Sequence, residues 1–396
     1  MLERKPYTTV SQGAVLAVLF LLQACTSTEI VNANSTPARQ STVFMPPELL
    51  LDIGILPLAP GIPDSEKEIE KQLIVPDVRR AESQYIAYQL KDTLERTGNW
   101  GAVRVTPEAS EAVDITISGE ILQSDGERLK ARMTAVDASG RTWISGVYED
   151  AASKYSYERP KEDPFQDFYN QIADDLLQRR DELSQPEIAA VRRVAALRYA
   201  SSLSPEAFRE YLVEKRGRLE VTQLPAEDNA MLQRVETIKE REFLFVDTLD
   251  DYYGKFYRDM KPSYDEWRFA TYDEAIRQRL MEKQARNRLL GGAALVAAGI
   301  YAGSESTTWA GDAAAVGAVA GGIGAIKSGM DRLKEAEIHE ESLRELSQSL
   351  GAEITPFVLD IEGRTIELTG TADAQYQQWR AILRQIYAEE TGLPVE

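Results

Sequence analysis

Residues 113–148 read VDITISGEILQSDGERLKARMTAVDASGRTWISGVY, and their period of two decides the fold of the first domain. Val113, Ile115 and Ile117 alternate with polar residues, Ser124-Asp125-Gly126-Glu127 turns the chain, and Leu129, Ala131 and Met133 alternate back. Ala138-Ser139-Gly140 turns it again into Trp143 to Tyr148. Alternation at this period gathers the apolar side chains on one face, so the stretch predicts an antiparallel meander. Toward the amino terminus, Val103 to Val105 predicts a short edge strand. Pro76-Asp77 opens a helix that carries Ile86, Leu90 and Leu94 at helical spacing and ends at Gly98. Leu50 to Leu58, with Ile53, Ile55 and Leu56 inside it, predicts a buried strand stopped by Pro57 and Pro60. Residues 49–150 are thus expected to form an α/β domain of strand, helix, strand and meander.

The first 24 residues have the three-part layout of an export signal: basic Arg4 and Lys5, an apolar run from Ala14 to Leu22, and small Ala24 before Cys25. The run is too short to span a bilayer. Leu22-Gln23-Ala24-Cys25 resembles the lipobox of bacterial lipoproteins, with Gln23 where a smaller residue is usual. The resemblance implies cleavage before Cys25, diacylation of its sulfur, and acylation of the new amino terminus by palmitate-type chains. Thr26, where an aspartate would favour inner-membrane retention, implies an outer-membrane address with most of the chain in the periplasm. Several buried acyl chains would make detachment unfavourable. The alternative is an ordinary secretory signal with an incidental cysteine. Residues 25–48, rich in Ser, Thr, Asn and Pro, are expected to be a flexible tether. Behind a lipobox, the strand-helix-strand-meander order resembles the α/β domain of the curli-secretion lipoprotein family and the amino-terminal domain of the Tol translocation protein. That implies protein–protein docking and identifies no partner.

From 160 to 288 the period becomes helical. Phe165, Phe168, Tyr169, Ile172 and Leu176 share one face, Pro186 stands near the start of a second helix, and Ser204-Pro205-Glu206 forms a capped start. A long helix is expected from Ala226 toward Tyr257. Aromatic residues from Phe243 to Tyr272 crowd its end and the turn expected after it. They form either a core joining two helices or a platform for sugars or a partner.

Ten of the chain's 25 glycines fall between Gly291 and Gly329. A helical glycine costs about 1 kcal/mol relative to alanine, so this density needs a reason, and close helix packing supplies one. Ala313, Gly317, Gly321, Ala325 and Gly329 recur every four residues, and Gly299 and Gly303 add another small-xxx-small step. Residues 289–330 resemble the glycine-zipper hairpin of bacterial outer-membrane lipoproteins and surface antigens. Basic residues flank both ends, with Tyr301 and Trp309 near the bend, an arrangement that suits lipid insertion with those two rings at an interface. Each arm, however, offers about 15 apolar residues where a bilayer core wants about 20. Insertion or oligomerisation, and burial within the chain, both stay open. Residues 331–396 are expected to form a charged helix with Leu333, Leu343, Leu346 and Leu350 inward, then a β-hairpin and a closing helix capped by Asp373.

Composition limits the chemistry. A net charge of −19 and a pI near 4.7 argue against general nucleic-acid binding, which needs a basic surface. With Cys25 alone, no disulfide forms within the chain. His339, the single histidine, sits among glutamates without the second histidine of a zinc-protease helix. No nucleophile elbow or phosphate-cradling loop is present. Asp174 with Asp175 and Asp250 with Asp251 are the carboxylate pairs on which glycan hydrolysis could draw. The expected fold class is α+β. The expected function is that of a lipid-anchored envelope protein with no catalytic residues, metal or cofactor, acting as a structural or assembly factor in outer-membrane maintenance, secretion or surface-polymer export. Expected partners are membrane lipid through acylated Cys25, a periplasmic or outer-membrane protein, and a second copy of the chain. The alternatives are a periplasmic glycan hydrolase and a secretion-channel component.

Overall fold

The computed structural model describes residues 35–41, 45–72, 74–158, 160–226, 229–302, 341–349, 352, 354, 356–361 and 364–392. All belong to the compact unit Ala33–Glu396. The fold is α+β. A five-stranded sheet runs in the order β2-β1-β3-β4-β5: β1 is Ile53–Ile55, β2 Val103–Val105, β3 Ile115–Ser124, β4 Arg128–Asp137 and β5 Thr142–Ala151. β1 lies parallel to both neighbours, with Ile53 opposite Val103 and Ile115, and the meander from β3 to β5 is antiparallel.

Every element expected for 49–150 is present. Ile115, Ile117, Leu129, Ala131 and Met133 are buried, and their alternates form a charged face on which Arg132 pairs with Glu120 and Lys130 with Glu149. This is the pattern of an antiparallel sheet with one face on the core and one solvated. A β-bulge between Ile121 and Gln123 breaks the alternation and turns Ser124 inward, where it is 1% exposed.

After the short α1 (Glu66–Lys71), α2 spans Pro76–Thr97 and ends on Gly98 in the left-handed conformation, φ 66°. Proline suits the first turn because its missing N–H has no helical acceptor there. Ile86, Leu90 and Leu94 join the main core, while Val78, Ala81 and Tyr85 join a second cluster with Phe256, Met260, Tyr264 and Trp267. α2 therefore lies between the sheet and a later helix, and its polar residues are buried as well as its apolar ones. The short α3 (Lys154–Glu158) precedes α4 (Gln166–Asp181). α5 (Gln185–Leu203) starts with a capping box, Ser184 and Glu187 bonding reciprocally, and α6 (Pro205–Phe208) has the expected proline in its first turn, although the Ser204 side chain makes no capping hydrogen bond.

Three features depart from expectation. Residues 35–41 of the expected tether are held against the folded part built on the five-stranded sheet, α2, α4 and α5, here called the head: Ser35 N–H donates to Glu162, Thr36 N–H to Asp167 and Arg39 N–H to Asp174, and Ser41 N–H donates to the Thr97 carbonyl. A hairpin of β6 (Leu212–Lys215) and β7 (Arg218–Val221) interrupts the helical region, turning at Arg216 (φ 54°) and Gly217 (φ 75°). Two consecutive positive φ values give the strands the twist a two-residue hairpin needs. The helix expected to stop near Tyr257 continues as α7, Ala230–Ala302, 73 residues long with Pro262 inside it. An internal proline costs about 3 kcal/mol. Burial of Phe256, Met260, Tyr264 and Trp267 on both sides of Pro262 offsets that loss, and Pro262 itself faces solvent.

The carboxy-terminal module matches its expected order. Helix α8 (residues 341–349) buries Leu343, β8 (Phe357–Ile361) pairs with β9 (Arg364–Leu368), and α9 spans Ala372–Thr391. Thr371 rather than Asp373 caps α9, accepting from Ala374 N–H, and Asp373 stands in the first turn. Trp379 and Tyr376 pack on Phe245 of α7, with ring centroids 5.9 and 6.4 Å away, so the module docks instead of standing alone.

Candidate functional site: the clamp on the long helix

The head holds α7 through a buried polar cluster. Arg268, 1% exposed on α7, donates to both carboxylate oxygens of Asp163 at 3.3 and 3.0 Å and to Asp265. Its guanidinium lies 4.3 Å from the Tyr264 ring centroid, with Phe165 and Tyr85 at 5.6 and 5.7 Å. Planar guanidinium faces suit such stacking while their edges bond a carboxylate. Asp163 also accepts from Tyr85 O–H and Phe165 N–H, so both charges are hydrogen-bonded as well as paired. Burial opposes the charge on Arg268, but Asp163 overrides it and holds the guanidinium above its ordinary pKa. Burial likewise opposes the charge on Asp163, and Arg268 pulls its carboxyl below the usual value. The pair is ionised in a place where either charge alone would be costly.

A second ion pair continues the cluster along α2. Arg79 Nε donates to Glu82 at 2.8 Å, and Glu82 also accepts from Ser124 O–H and Tyr264 O–H, each at 2.8 Å. The β-bulge noted above is what brings Ser124 to this carboxylate. One turn along, the tip of the β3–β4 turn meets α7 directly. A Cβ on Gly126, whose φ is 79°, would lie 2.4 Å from the Arg268 carbonyl oxygen, so only glycine allows this approach. Farther up α2, Gln89 donates to Gln166, which donates to Thr93 and Asn170. Of the aromatic residues from Phe243 to Tyr272, Phe256, Tyr264 and Trp267 are buried in this interface with Tyr85, which stacks on Tyr257 at 4.6 Å, while Phe245 is buried against the carboxy-terminal module.

A separate cluster stands where β1 and β3 begin. Asp52 N–H donates to Asp114 at 2.8 Å, and Asp52 in turn accepts from Ala102 N–H at 2.8 Å. Arg192 Nε lies 3.8 Å from Asp114. Burial raises the Asp114 carboxyl to about 6, and burial lowers nearby Lys239 on α7.

The sequence-predicted residues are distributed as follows. Gly299 and Tyr301 lie in the backbone of α7. Cys25, Gly303, Trp309, Ala313, Gly317, Gly321, Ala325, Gly329 and His339 fall outside the described residues, as do Leu333 and Leu350. The carboxylate pairs serve separate contacts. Asp174 accepts from Arg39 and Asp175 from Tyr148, while Asp250 accepts from Val105 N–H and pairs with Lys91 at 3.2 Å, with Asp251 exposed. Arg268, Asp163, Arg79 and Glu82 carry no signal of their own in the sequence. Their pairing depends on which face of α7 meets α2, and no local pattern gives that. Among the described residues, no helix is long and apolar enough to cross a membrane, and no group of three His, Cys, Asp or Glu residues could hold a metal ion. Compared with protein-family models, curated proteins and solved structures, the chain finds no match in any of the three.

Proposed function

We propose that this chain is a lipid-anchored outer-membrane protein, a structural or assembly factor of the envelope without a catalytic role. In this reading its folded head is joined mechanically to its glycine-rich segment. The observation that supports it is the continuity of α7. One helix passes from the core of the head, where Arg268 and Tyr264 are clamped, through Leu289 and into the first glycine-rich arm at Ala302. At 1.5 Å per residue its 73 residues span about 110 Å. A helix without a break transmits a rotation or displacement from one end to the other, which a flexible linker does not.

The acylated Cys25 would supply the membrane anchor, the head would dock an envelope protein, and the small-residue stripe would insert in lipid or pair with a second copy. Membrane fractionation tests the reading. The full-length chain is expected to sediment with the outer membrane, and recovery as a soluble monomer from membrane-free fractions would contradict it.

A further inference from the structure

The β6–β7 hairpin adds little to the core, since its residues are exposed or half-buried. Its position is nonetheless fixed. Leu219 N–H donates to the Ser139 carbonyl at 2.8 Å, bringing the hairpin against the β4–β5 turn, and α5 closes the third side. Between these three elements lies a cavity of about 310 Å³. Isolated two-stranded hairpins are marginal in water, so this one depends on the docking that makes it a wall.

Three arginines line the cavity: Arg141 after the β4–β5 turn, Arg193 on α5 and Arg218 on β7. Its two carboxylates already have partners. Glu187 is held by Ser184 N–H and O–H and lies 3.5 Å from Arg141, and Glu220 pairs with Lys215 at 3.2 Å. Arg141 Nε is buried with no hydrogen-bond partner. Among the described residues, Arg193 and Arg218 have neither an ion pair nor a hydrogen bond through their side chains. Arg193 and Arg218 are exposed to solvent at the mouth of the cavity, so their guanidinium donors are open to an entering anion. Apart from Ser139, the rest of the lining is apolar, supplied mainly by Val191, Val194 and Leu219.

We propose that this cavity binds a small organophosphate, with the arginines on the phosphate oxygens and the apolar residues under its organic part. Guanidinium forks match phosphate geometry, and an apolar floor with a few placed polar groups is the usual make-up of a small-molecule site. The volume admits a headgroup or a small ester and excludes a polymer. The site lies entirely on the head, so it stands or falls independently of the envelope reading.

Titration calorimetry of the full-length, detergent-solubilised protein tests it with three probes. Inorganic phosphate supplies the anion alone, phenyl phosphate adds an apolar group, and monomeric dihexanoyl phosphatidic acid presents the same chemistry as a lipid. Phenyl phosphate or the short-chain lipid is expected to bind more tightly than inorganic phosphate. Preference for the first assigns a free ester and preference for the second a lipid headgroup. The double variant Arg193→Gln/Arg218→Gln, at exposed positions, should weaken that binding at least tenfold. Arg132→Gln, on the solvated sheet face, should leave it unchanged. No binding of any probe at millimolar concentration, or equal binding by the double variant, would overturn the proposal.

Discussion

The Arg268 guanidinium and the Asp163 carboxylate stand 3.0 Å apart at 1% and 2% exposure, tying the middle of α7 to the segment before α4 across 105 positions of sequence. Removing one partner of a buried pair leaves the other charge uncompensated. Arg268→Met is therefore expected to lower stability by about 3–5 kcal/mol, and Asp163→Leu in the same background to restore part of the loss. Urea unfolding of the wild type and the two variants measures this. A single-variant loss under about 1 kcal/mol would show that the clamp does not hold the helix.

Asp114 gives a pH dependence opposite in sign to that of Asp163. Its folded pKa is raised to about 6 by burial, against about 3.9 in an unfolded chain. The folded state therefore binds the proton more tightly than the unfolded state. The contribution of this group to stability is largest below pH 4, declines between about 4 and 6, and is flat above. Asp163, with its pKa lowered, works the other way, and its contribution is lost only as the pH falls below the unfolded value. Asp114→Asn should make the decline between pH 4 and 6 shallower, leaving the part due to Asp150, which burial also raises to about 6, and leave the steeper acid limb in place. An unchanged profile from pH 4 to 6 would contradict the assignment.

Gly126→Ala places a methyl 2.4 Å from the Arg268 carbonyl oxygen at a φ of 79°, so the β3–β4 turn must move away from α7. A loss of about 1–3 kcal/mol is expected from the backbone conformation and the displaced contact together. Hydrogen exchange should show faster opening around Tyr264 to Thr271, and unaltered exchange there would show that the turn does not brace the helix.

Pro262 faces solvent inside α7, so replacing it with alanine restores an N–H donor without disturbing the core. Pro262→Ala is expected to stabilise the protein by about 2 kcal/mol, net of the greater freedom alanine gives the unfolded chain. A fall in melting temperature would mean instead that the proline sets a bend on which the aromatic packing depends.

Legibility followed the range of the interactions. Over residues 49–150, period-two alternation from Val113 to Tyr148 and the Pro76 and Gly98 boundaries are local signals, and each element lies where they put it. The fate of α7 was not legible. Pro262 and the aromatic residues around Tyr257 suggest a turn locally, and only contacts with α2, more than 150 positions away, outweigh the proline. The β6–β7 hairpin is two four-residue strands around Arg216-Gly217, too short to stand out from helical flanks. The bulge that aims Ser124 at Glu82 changes the side-chain count by one residue, which no alternation pattern records. Arg268 is one of many arginines until its neighbours are known.

The proposed outer-membrane role rests on acylated Cys25 and on the glycine-rich segment that α7 enters. Its most direct test is density-gradient separation of the two membranes followed by a carbonate wash, comparing the full chain with a Cys25→Ala form exported by a cleavable signal. The acylated chain is expected to stay in the washed outer membrane, whether or not the acyl-less form stays with it. If the acyl-less form stays, the glycine-rich segment is itself a membrane element; if it is released, Cys25 is the sole anchor. Recovery of the full chain, with Cys25 intact, as a soluble monomer would contradict the account.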